Sequence, residues 1–402
     1  PDEADIAKAR ELMGDALVLD SPVPGVRQSL RGNKVLLDWE TPHLTANWSL
    51  VSESNLPIEG YKGRKISVAG DNETYAASVE QYATSSYDET TRKHRMRPAL
   101  IAYPRSTESV VACVKHAANE KMKVVARSGG HQYCGLSSGG GDTLLLDMSD
   151  MAEITVIGNK VEVGPGAKLA KLSEALREKG LTIPHGECPG VGIGGHVQTG
   201  GVGHQLRSLG LTQDYVLSFE MVTTDASGKC IAKTYKRPAT GLPAFDASIV
   251  DEDIFRAVLG GGPGSWGVVT KFEFYALQDA AYAGEANGLS SKFKYNYNAL
   301  KAAMLQLRSW TAHANTMPTG RDLFVRAVSG QRLRPALVMV ETMAMKADDA
   351  QVLAEVREAV KNESDGWTFP AWRKEKLSQI AHDGVRPSAR YGMYKGREFQ
   401  LP

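Results

Sequence analysis

The sequence predicts an α+β protein with a larger domain over residues 1–275 and a smaller one over residues 276–402. The chain has 402 residues, which is long enough to form two hydrophobic cores. Strand-like and helix-like patterns alternate regularly from Ala99 to Tyr275. After that point a long helical pattern, an apolar strand and a second helical pattern form a separate group. This change of pattern places the domain boundary near residue 275.

The first alternating patterns predict a β-α-β unit. Strands are expected over Ala99–Tyr103 and Val124–Ala126, with an amphipathic helix over Ser106–Lys121 between them. Either Ser106 or Thr107 is expected to cap that helix. The second strand leads directly into a glycine-rich segment. Because ligands usually bind at the carboxyl ends of parallel strands, this segment is a candidate binding loop.

The remaining elements are predicted from the spacing of apolar residues and from the turn residues between them. In the larger domain, strands are expected over Thr143–Asp147, Glu153–Ile157, Lys160–Val163, Val216–Thr223, Lys229–Tyr235 and Val268–Tyr275, and helices over Ala4–Met13, Glu73–Tyr82, Ala167–Lys179 and Asp253–Leu259. In the smaller domain, helices are expected over Tyr295–His313 and Ala347–Lys361 and a strand over Leu337–Met343.

Two glycine-rich segments each contain one nucleophilic side chain. The segment Arg127–Gly135 contains His131, and the segment Gly186–His196 contains Cys188. Glycine has no Cβ and allows positive φ, so its backbone can approach a planar or anionic ligand closely. Consecutive backbone N–H groups can also bind phosphate oxygens. Two such segments indicate one large phosphorylated cofactor that is held from two sides.

These segments resemble the flavin-binding core of the vanillyl-alcohol oxidase superfamily, in particular its berberine bridge enzyme-like and oligosaccharide oxidase-like members. The resemblance extends from Arg97 to Thr270. Further landmarks follow in the same order as in the family, namely Tyr103-Pro104, Asp147-Met148-Ser149, Val163–Gly166, Gly200–Gly203 and Gly260–Thr270. The resemblance implies a PCMH-type FAD-binding domain of two subdomains, with its core at residues 97–275. It also implies an α/β substrate domain whose antiparallel sheet covers the flavin.

The resemblance implies bicovalent FAD. The imidazole of His131 would be bonded to the 8α-methyl group of the flavin and the sulfur of Cys188 to its C6 atom. A histidyl bond would make the ring more electron-poor and ease hydride acceptance. The other residues expected to bind the cofactor are Arg127, Ser128, Gly129, Gly130, Tyr133, Gly135, Val191, Gly192, Gly194, Gly195, His196, Gln198, Gly200, Gly201 and Val268.

Some of these residues have a second interpretation. The Arg127 side chain either contacts the pyrophosphate or faces solvent, and Tyr133 lies either near the flavin or in a packed interior. His196 and Gln198 either lie near the pyrimidine edge or pyrophosphate of FAD or stabilise a hydrogen-bonded turn. Val191 either leaves space for oxygen to reach flavin C4a, as valine tends to do in oxidases of the family, or only packs the loop.

Two matches to the dinucleotide fingerprint G-x-G-x-x-G are not interpreted as nicotinamide sites. They begin at Gly190 and Gly262. A nicotinamide site requires a strand immediately before the glycines and a helix immediately after them. The first match follows a proline- and glycine-containing turn, and the second runs into a strand pattern. Both are therefore expected to be close-approach loops around a flavin.

The catalytic base is less clearly indicated. In the family it is a Tyr, Glu or Asp on a substrate-domain strand or in the C-terminal segment. Glu341 is a candidate because a carboxylate on an apolar strand is costly unless it is paired or functional. Tyr391 and Tyr394 are further candidates. We expect that the family's closing segment, which often contains catalytic tyrosines, is missing from the sequence.

The implied activity is that of an FAD-dependent oxidase. A base takes a hydroxyl proton, hydride passes from the alcohol carbon to flavin N5, and O2 reoxidises the flavin to give H2O2. The favoured substrate is the anomeric hydroxyl of a sugar or oligosaccharide. Alternatives are a phenolic, alkaloid or polyketide metabolite as substrate, or a flavin-binding protein without turnover.

Composition restricts the other partners. The net charge of +1, without a dense basic run, gives no indication of nucleic-acid binding. No apolar stretch approaches the roughly 18 residues that span a bilayer. The four cysteines form no metal-like cluster, and no metal is expected. Asn-x-Ser/Thr triplets at Asn47, Asn72 and Asn362 and the habit of the family slightly favour secretion, although the sequence contains no signal peptide.

Overall fold

The computed structural model describes the residues that form the candidate site and most of the elements around it. The described residues are 58–61, 63–67, 75, 78–79, 87–88, 93–94, 96–132, 136–225, 227–238, 250–282, 286–294, 297–312, 321–328, 337–344, 371–376, 378–379 and 381. No helix among them combines the length and the apolar composition that crossing a bilayer requires.

The elements alternate between strands and helices along the larger domain. Up to residue 182 they are β1 (Gly63–Ser67), β2 (Tyr87–Asp88), β3 (Lys93–His94), β4 (Leu100–Pro104), α1 (Thr107–Asn119), β5 (Lys123–Arg127), β6 (Thr143–Asp147), β7 (Ile154–Ile157), β8 (Lys160–Val163), α2 (Leu169–Glu178) and β9 (Leu181–Thr182). The following elements are α3 (Ile193–Gln198), α4 (Leu206–Leu209), β10 (Val216–Thr224), β11 (Cys230–Lys236), α5 (Val250–Leu259) and β12 (Val268–Tyr275).

The first sheet contains the predicted β-α-β unit. Its strands lie in the order β1-β4-β6-β5, with β4, β5 and β6 parallel and β1 antiparallel. Helix α1 buries Val110, Cys113 and Ala117 in the same apolar cluster as alternate residues of β4 and β6. The Ser106 hydroxyl accepts a hydrogen bond from the Ser109 N–H at 3.3 Å, so Ser106 is the cap. This packing fixes the carboxyl end of β5, from which the first glycine-rich segment begins.

The second sheet is antiparallel and holds the larger core. Its order is β11-β10-β12-β8-β7. Phe219 lies at its centre, with ring centroids 5.5 Å from Tyr235 and 5.4 Å from Phe255. Helix α2 contributes Leu169 and Leu172 to this core and ends before Gly180, whose φ is +65°. The second glycine-rich segment leaves this core between β9 and α3.

The third sheet is formed by the smaller domain. Its elements are β13 (Leu277–Gln278), β14 (Ala286–Lys294), α6 (Tyr297–Ala312), β15 (Arg321–Val328), β16 (Leu337–Ala344) and β17 (Ala371–Glu375), of which β13 pairs with β9 instead of joining this sheet. The sheet order is β15-β16-β14-β17, with antiparallel neighbours. Strand β15 lies against α4, and α6 lies against β15 and β16. The third sheet therefore adjoins the segment that follows the second glycine-rich loop.

Most predicted elements are confirmed, and the differences have physical causes. The strands at Thr143–Asp147, Lys160–Val163 and Val268–Tyr275 have the predicted bounds. Helix α5 begins at Val250, earlier than predicted, because its first turn carries acidic residues that suit a helix N-terminus. Helix α3 was not predicted, since its sequence Ile-Gly-Gly-His-Val-Gln has low helix propensity. The predicted helices over residues 4–13 and 347–361 lie outside the described residues.

Candidate functional site

The two glycine-rich segments meet in the structure. We call residues 127–131 the histidine loop and residues 186–195 the cysteine loop. A Cβ atom added to Gly129 would lie 2.4 Å from the Gly192 nitrogen, and one added to Gly192 would lie 2.0 Å from Ser128 Oγ. Such distances show backbone packed directly on backbone, which only glycine permits. The two loops therefore form one site at the carboxyl end of β5.

The His131 side chain lies close to the cysteine loop. A Cβ atom on Gly190, two residues after Cys188, would be 3.6 Å from His131 Nε2. The imidazole of His131 therefore lies against the cysteine loop. Both His131 and Cys188 are half-buried, and the Cys188 thiol forms no disulfide. Both side chains are therefore partly exposed to solvent.

The cysteine loop is held by backbone hydrogen bonds to the segment before α2. The Val191 carbonyl accepts from the Leu169 N–H at 2.9 Å, and the Ala167 carbonyl accepts from the Ile193 N–H at 2.8 Å. Inside the loop, the Val191 N–H donates to the Cys188 carbonyl at 3.2 Å. The Val191 side chain packs against the larger core, which agrees with its packing interpretation. Its role in oxygen access stays a prediction.

The Arg127 side chain does not face solvent, and that interpretation is wrong. Its Nε and Nη2 donate to Asp147 Oδ2 at 3.0 and 2.8 Å, and Nη2 also donates to the Ser78 carbonyl. Burial alone would raise the pKa of the Asp147 carboxyl, but Arg127 and hydrogen bonds from Ser149 hold that pKa below its usual value. Arg127 and Asp147 are register partners at the ends of the parallel strands. The pair closes the carboxyl edge of the sheet beneath the histidine loop.

The histidine loop offers backbone donors to an anion. Gly130 has a φ of +68°, a conformation that glycine adopts without strain. No hydrogen bond between described residues uses the N–H of Gly129 or of Gly130. The Ser128 hydroxyl, in contrast, donates to the Pro165 carbonyl at 2.5 Å. Ser128 therefore uses its side chain to join the loop to the α2 segment, and the glycines supply the available donors.

The His196 side chain has partners inside the protein. Its Nε2 accepts a hydrogen bond from the Gly186 N–H at 3.0 Å and lies 3.3 Å from the Thr212 hydroxyl. Burial, with a smaller contribution from His185, lowers the pKa of His196 to about 4. The imidazole is therefore neutral at physiological pH, with its proton on Nδ1. This geometry agrees with the interpretation that His196 stabilises the turn, and its contact with FAD stays a prediction.

Gln198 connects two glycine-rich turns. Its Nε2 donates to the Gly194 carbonyl at 2.8 Å, and its Oε1 accepts from the Gly264 N–H at 3.2 Å. The turn at residues 260–267 is thereby joined to α3. Helix α5 precedes this turn and strand β12 follows it. The fingerprint match at Gly262 was expected to run into a strand, and it does so. The first match follows a loop, so neither has the context of a nicotinamide site.

The other predicted cofactor residues occupy different positions. Gly194 is closely packed, since an added Cβ would be 2.8 Å from the Pro165 carbonyl oxygen, whereas one on Gly195 would meet nothing within 4 Å. Gly200 and Gly201 both have positive φ. The Val268 side chain is buried in the apolar cluster beneath the first sheet. Tyr133 and Gly135 lie outside the described residues.

The candidate bases are only partly described. Glu341 lies in the middle of β16, where its backbone is opposite Ser290 of β14 and Phe324 of β15. This position is central in the third sheet, as the family resemblance implies for a base. Tyr391 and Tyr394 lie outside the described residues. The catalytic roles of all three residues stay predictions.

Some polar groups at the site were not predicted from the sequence. His204 Nε2 lies 2.9 Å from Glu187 Oε1, beside Cys188. Lys168, which precedes α2, reaches the Ser128 carbonyl with its Nζ at 3.5 Å. Neither contact follows a recognisable spacing, because each joins segments that are distant in the sequence. The position of Lys168 directly after a glycine-rich landmark was the available signal.

Comparison with known proteins shows which proteins the chain resembles. Residues 98–232 match the model of an FAD binding domain. The FAD-linked oxidoreductase pynB of Aspergillus niger is 32% identical over 238 residues, which cover 58% of this chain and 41% of that protein. Berberine bridge enzyme-like 12 of Arabidopsis thaliana is 39% identical over 184 residues, covering 44% and 32%. Glucooligosaccharide oxidase of Sarocladium strictum is 32% identical over 236 residues, covering 57% and 42%.

Over these residues the chain is similar to proteins named as FAD-linked oxidoreductases and oxidases. It spans less than half the length of these curated relatives. Solved structures show the same fold. BBE-like 1 of Physcomitrella patens has a TM-score of 0.61 at 21% identity, covering 85% of this chain and 66% of that one. Glucooligosaccharide oxidase of Acremonium strictum has a TM-score of 0.56 at 23% identity, covering 78% and 59%. The predicted α+β class is thus confirmed.

The contact between the two loops predicts that Gly192 is intolerant of a side chain. Gly192→Ala should lower the free energy of unfolding by about 2 kcal/mol, because the added methyl group overlaps Ser128 Oγ. Gly195→Ala is the matched control, since its methyl group has open space in the same helical segment. Urea denaturation of both apoproteins measures the difference. Equal stability of the two variants would contradict the described contact.

The lowered pKa of His196 predicts acid sensitivity. The folded protein disfavours protonation of His196, whose pKa falls from 6.5 to about 4, so stability is lost as the pH falls from 6.5 towards 4. The loss should approach about 3 kcal/mol. His196→Asn should reduce this pH dependence, and His116→Asn on α1 is the control. Urea unfolding at pH 7 and pH 4.5 measures it. An unchanged pH dependence in His196→Asn would refute this account.

Proposed function

We propose that this protein is an FAD-dependent oxidase that removes hydride from an alcohol carbon and uses O2 as the final acceptor. The observation that carries the proposal is the meeting of the His131 and Cys188 loops in a domain that matches an FAD-binding family. Relatives named as oxidoreductases and oxidases support the reaction class.

The site fits a flavin dinucleotide in its chemistry. The backbone N–H groups of Gly129 and Gly130 suit phosphate oxygens. His131 and Cys188 are half-buried nucleophiles beside each other's loops. A solved glucooligosaccharide oxidase of Acremonium strictum is described as having a 6-S-cysteinyl, 8α-N1-histidyl FAD. The same pair of residue types in this site supports bicovalent attachment here.

The remaining residues have separate roles in the proposed reaction. Bound FAD would supply the hydride acceptor. Covalent attachment through His131 and Cys188 fixes the position of the ring, and the glycine backbone around it excludes side chains from its surface. We assign the removal of the hydroxyl proton to Glu341, on the basis of its central place in the third sheet. Tyr391 and Tyr394 are the other candidates for that base.

The favoured substrate is the anomeric hydroxyl of a sugar or oligosaccharide, which would be oxidised to a lactone. Similarity to the named glucooligosaccharide oxidase, and in fold to a xylooligosaccharide oxidase, supports this choice. Similarity to the named aclacinomycin oxidase of Streptomyces galilaeus supports the alternative of a phenolic, alkaloid or polyketide metabolite. Secretion remains a further prediction from the sequence.

Bicovalent attachment predicts that acid precipitation leaves the yellow colour in the protein pellet. His131→Ala and Cys188→Ala should each retain covalent flavin through the remaining bond, whereas the double variant should release it. Cys230→Ala, which removes a second half-buried free thiol, is the control and should behave as wild type. Flavin absorbance in pellet and supernatant measures the outcome. Release of FAD from the wild-type protein would exclude covalent attachment.

The oxidase proposal predicts that its substrate bleaches the flavin without oxygen. A panel of mono-, di- and oligosaccharides and aromatic alcohols is mixed anaerobically with the protein, and the loss of flavin absorbance is followed. Glu341→Gln should slow bleaching by about 100-fold or more if Glu341 is the base. Glu375→Gln, on strand β17 of the same sheet, is the control. Bleaching by aromatic alcohols alone would select the alternative substrate, and bleaching by none would indicate a binding protein.

A further inference from the structure

Lys168 places a cationic side chain between the two loops. Its Nζ lies 3.5 Å from the carbonyl oxygen of Ser128 in the histidine loop. Its backbone forms an isolated antiparallel bridge with Gly192 in the cysteine loop. One residue therefore contacts both loops, with its ammonium group directed to the histidine loop.

The positive charge of Lys168 is not balanced at this position. Asp147 is the nearby carboxylate, but its Oδ2 accepts both hydrogen bonds from Arg127 and its Oδ1 accepts from the Ser149 N–H. No carboxylate among the described residues lies within ion-pair distance of Lys168 Nζ. The group of Arg127, Asp147 and Lys168 thus has a net charge of +1, with Arg127 and Asp147 buried and Lys168 half-buried.

Even a half-buried cation loses part of its hydration, and no neighbouring carboxylate replaces that loss at Lys168. Burial lowers the pKa of Lys168, Asp147 opposes this effect, and Arg127 adds to it. The single hydrogen bond from Lys168 Nζ to the Ser128 carbonyl is long, at 3.5 Å, and stabilises the ammonium group only weakly. An anion bound beside the Lys168 ammonium group would balance its positive charge.

The same loop presents donors for such an anion. The N–H groups of Gly129 and Gly130 have no hydrogen-bond partner among the described residues. They belong to the loop whose Ser128 carbonyl contacts Lys168. Two backbone donors and one ammonium group can together bind several oxygens of a phosphorylated ligand.

We propose that Lys168 binds the diphosphate of the dinucleotide flavin and makes the site selective for FAD over flavins without a diphosphate. This inference rests on the proposed flavin site, but it does not depend on the substrate or on the oxidase reaction. Lys168 was not among the residues that the family resemblance implied. Its role is to supply the counter-charge that the glycine loop lacks.

The test measures reversible flavin binding in the His131→Ala/Cys188→Ala background, where no covalent bond forms. Quenching of flavin fluorescence gives the dissociation constants of FAD, FMN and riboflavin. Lys168→Met should weaken FAD binding by about 10- to 100-fold, as expected for loss of a charged hydrogen bond, and change riboflavin binding less than about twofold. Lys168→Arg should restore most of the FAD affinity. Lys171→Met, which removes an exposed lysine of α2, is the control and should change neither.

The outcomes separate this inference from the proposed function. An unchanged FAD affinity in Lys168→Met, or an equal loss for riboflavin, would overturn the assignment of Lys168. If Lys168→Met does not fold, inorganic pyrophosphate is added as a competitor to the His131→Ala/Cys188→Ala protein. It should displace FAD but not riboflavin. Failure to displace FAD would also overturn it. Flavin binding that depends on Lys168 in a protein that oxidises no alcohol would retain this inference and reject the oxidase proposal.

Discussion

The candidate site depends on the close contact between the backbones of Gly129 and Gly192. An added Cβ on Gly129 would lie 2.4 Å from the Gly192 nitrogen, so neither loop can carry a side chain at this contact. One loop extends from the parallel sheet, and the other leaves the core of the antiparallel sheet. The contact therefore joins two separately packed units. It also brings His131 and Cys188, 57 positions apart by their numbers, into one site.

The charged residues near the glycine contact are positioned by the ends of two parallel strands. Arg127 and Asp147 are adjacent at the carboxyl ends of β5 and β6, and burial makes each require the other. Their pairing holds the Arg127 guanidinium on Asp147. Lys168 is a second cation at the same loop, since its Nζ lies 3.5 Å from the Ser128 carbonyl oxygen. A family motif indicates that an anion binds at this loop, but the partners of each charge emerge only from the packing.

Local patterns in the sequence were sufficient to predict the fold and the two loops. Strand β6 has the predicted bounds because it is a short continuous apolar run, and β12 because apolar and polar residues alternate near its end. Helix α3 could not be predicted, since two of its six residues are glycine. Its form depends on hydrogen bonds from Ile193 and Gly194 to residues before α2. Tertiary contacts of this kind leave no periodic signal in the sequence.

The side chains of His196 and Gln198 help to hold the glycine-rich segments in shape. Both residues belong to the flavin motif, yet their polar atoms are hydrogen-bonded within the protein, to Gly186 for His196 and to Gly194 and Gly264 for Gln198. A glycine-rich loop has few side chains with which to hold its own shape. Nearby polar side chains must therefore satisfy the exposed backbone groups. Residues such as His196 and Gln198 thus shape the loops, whereas attachment of the cofactor is proposed for His131 and Cys188.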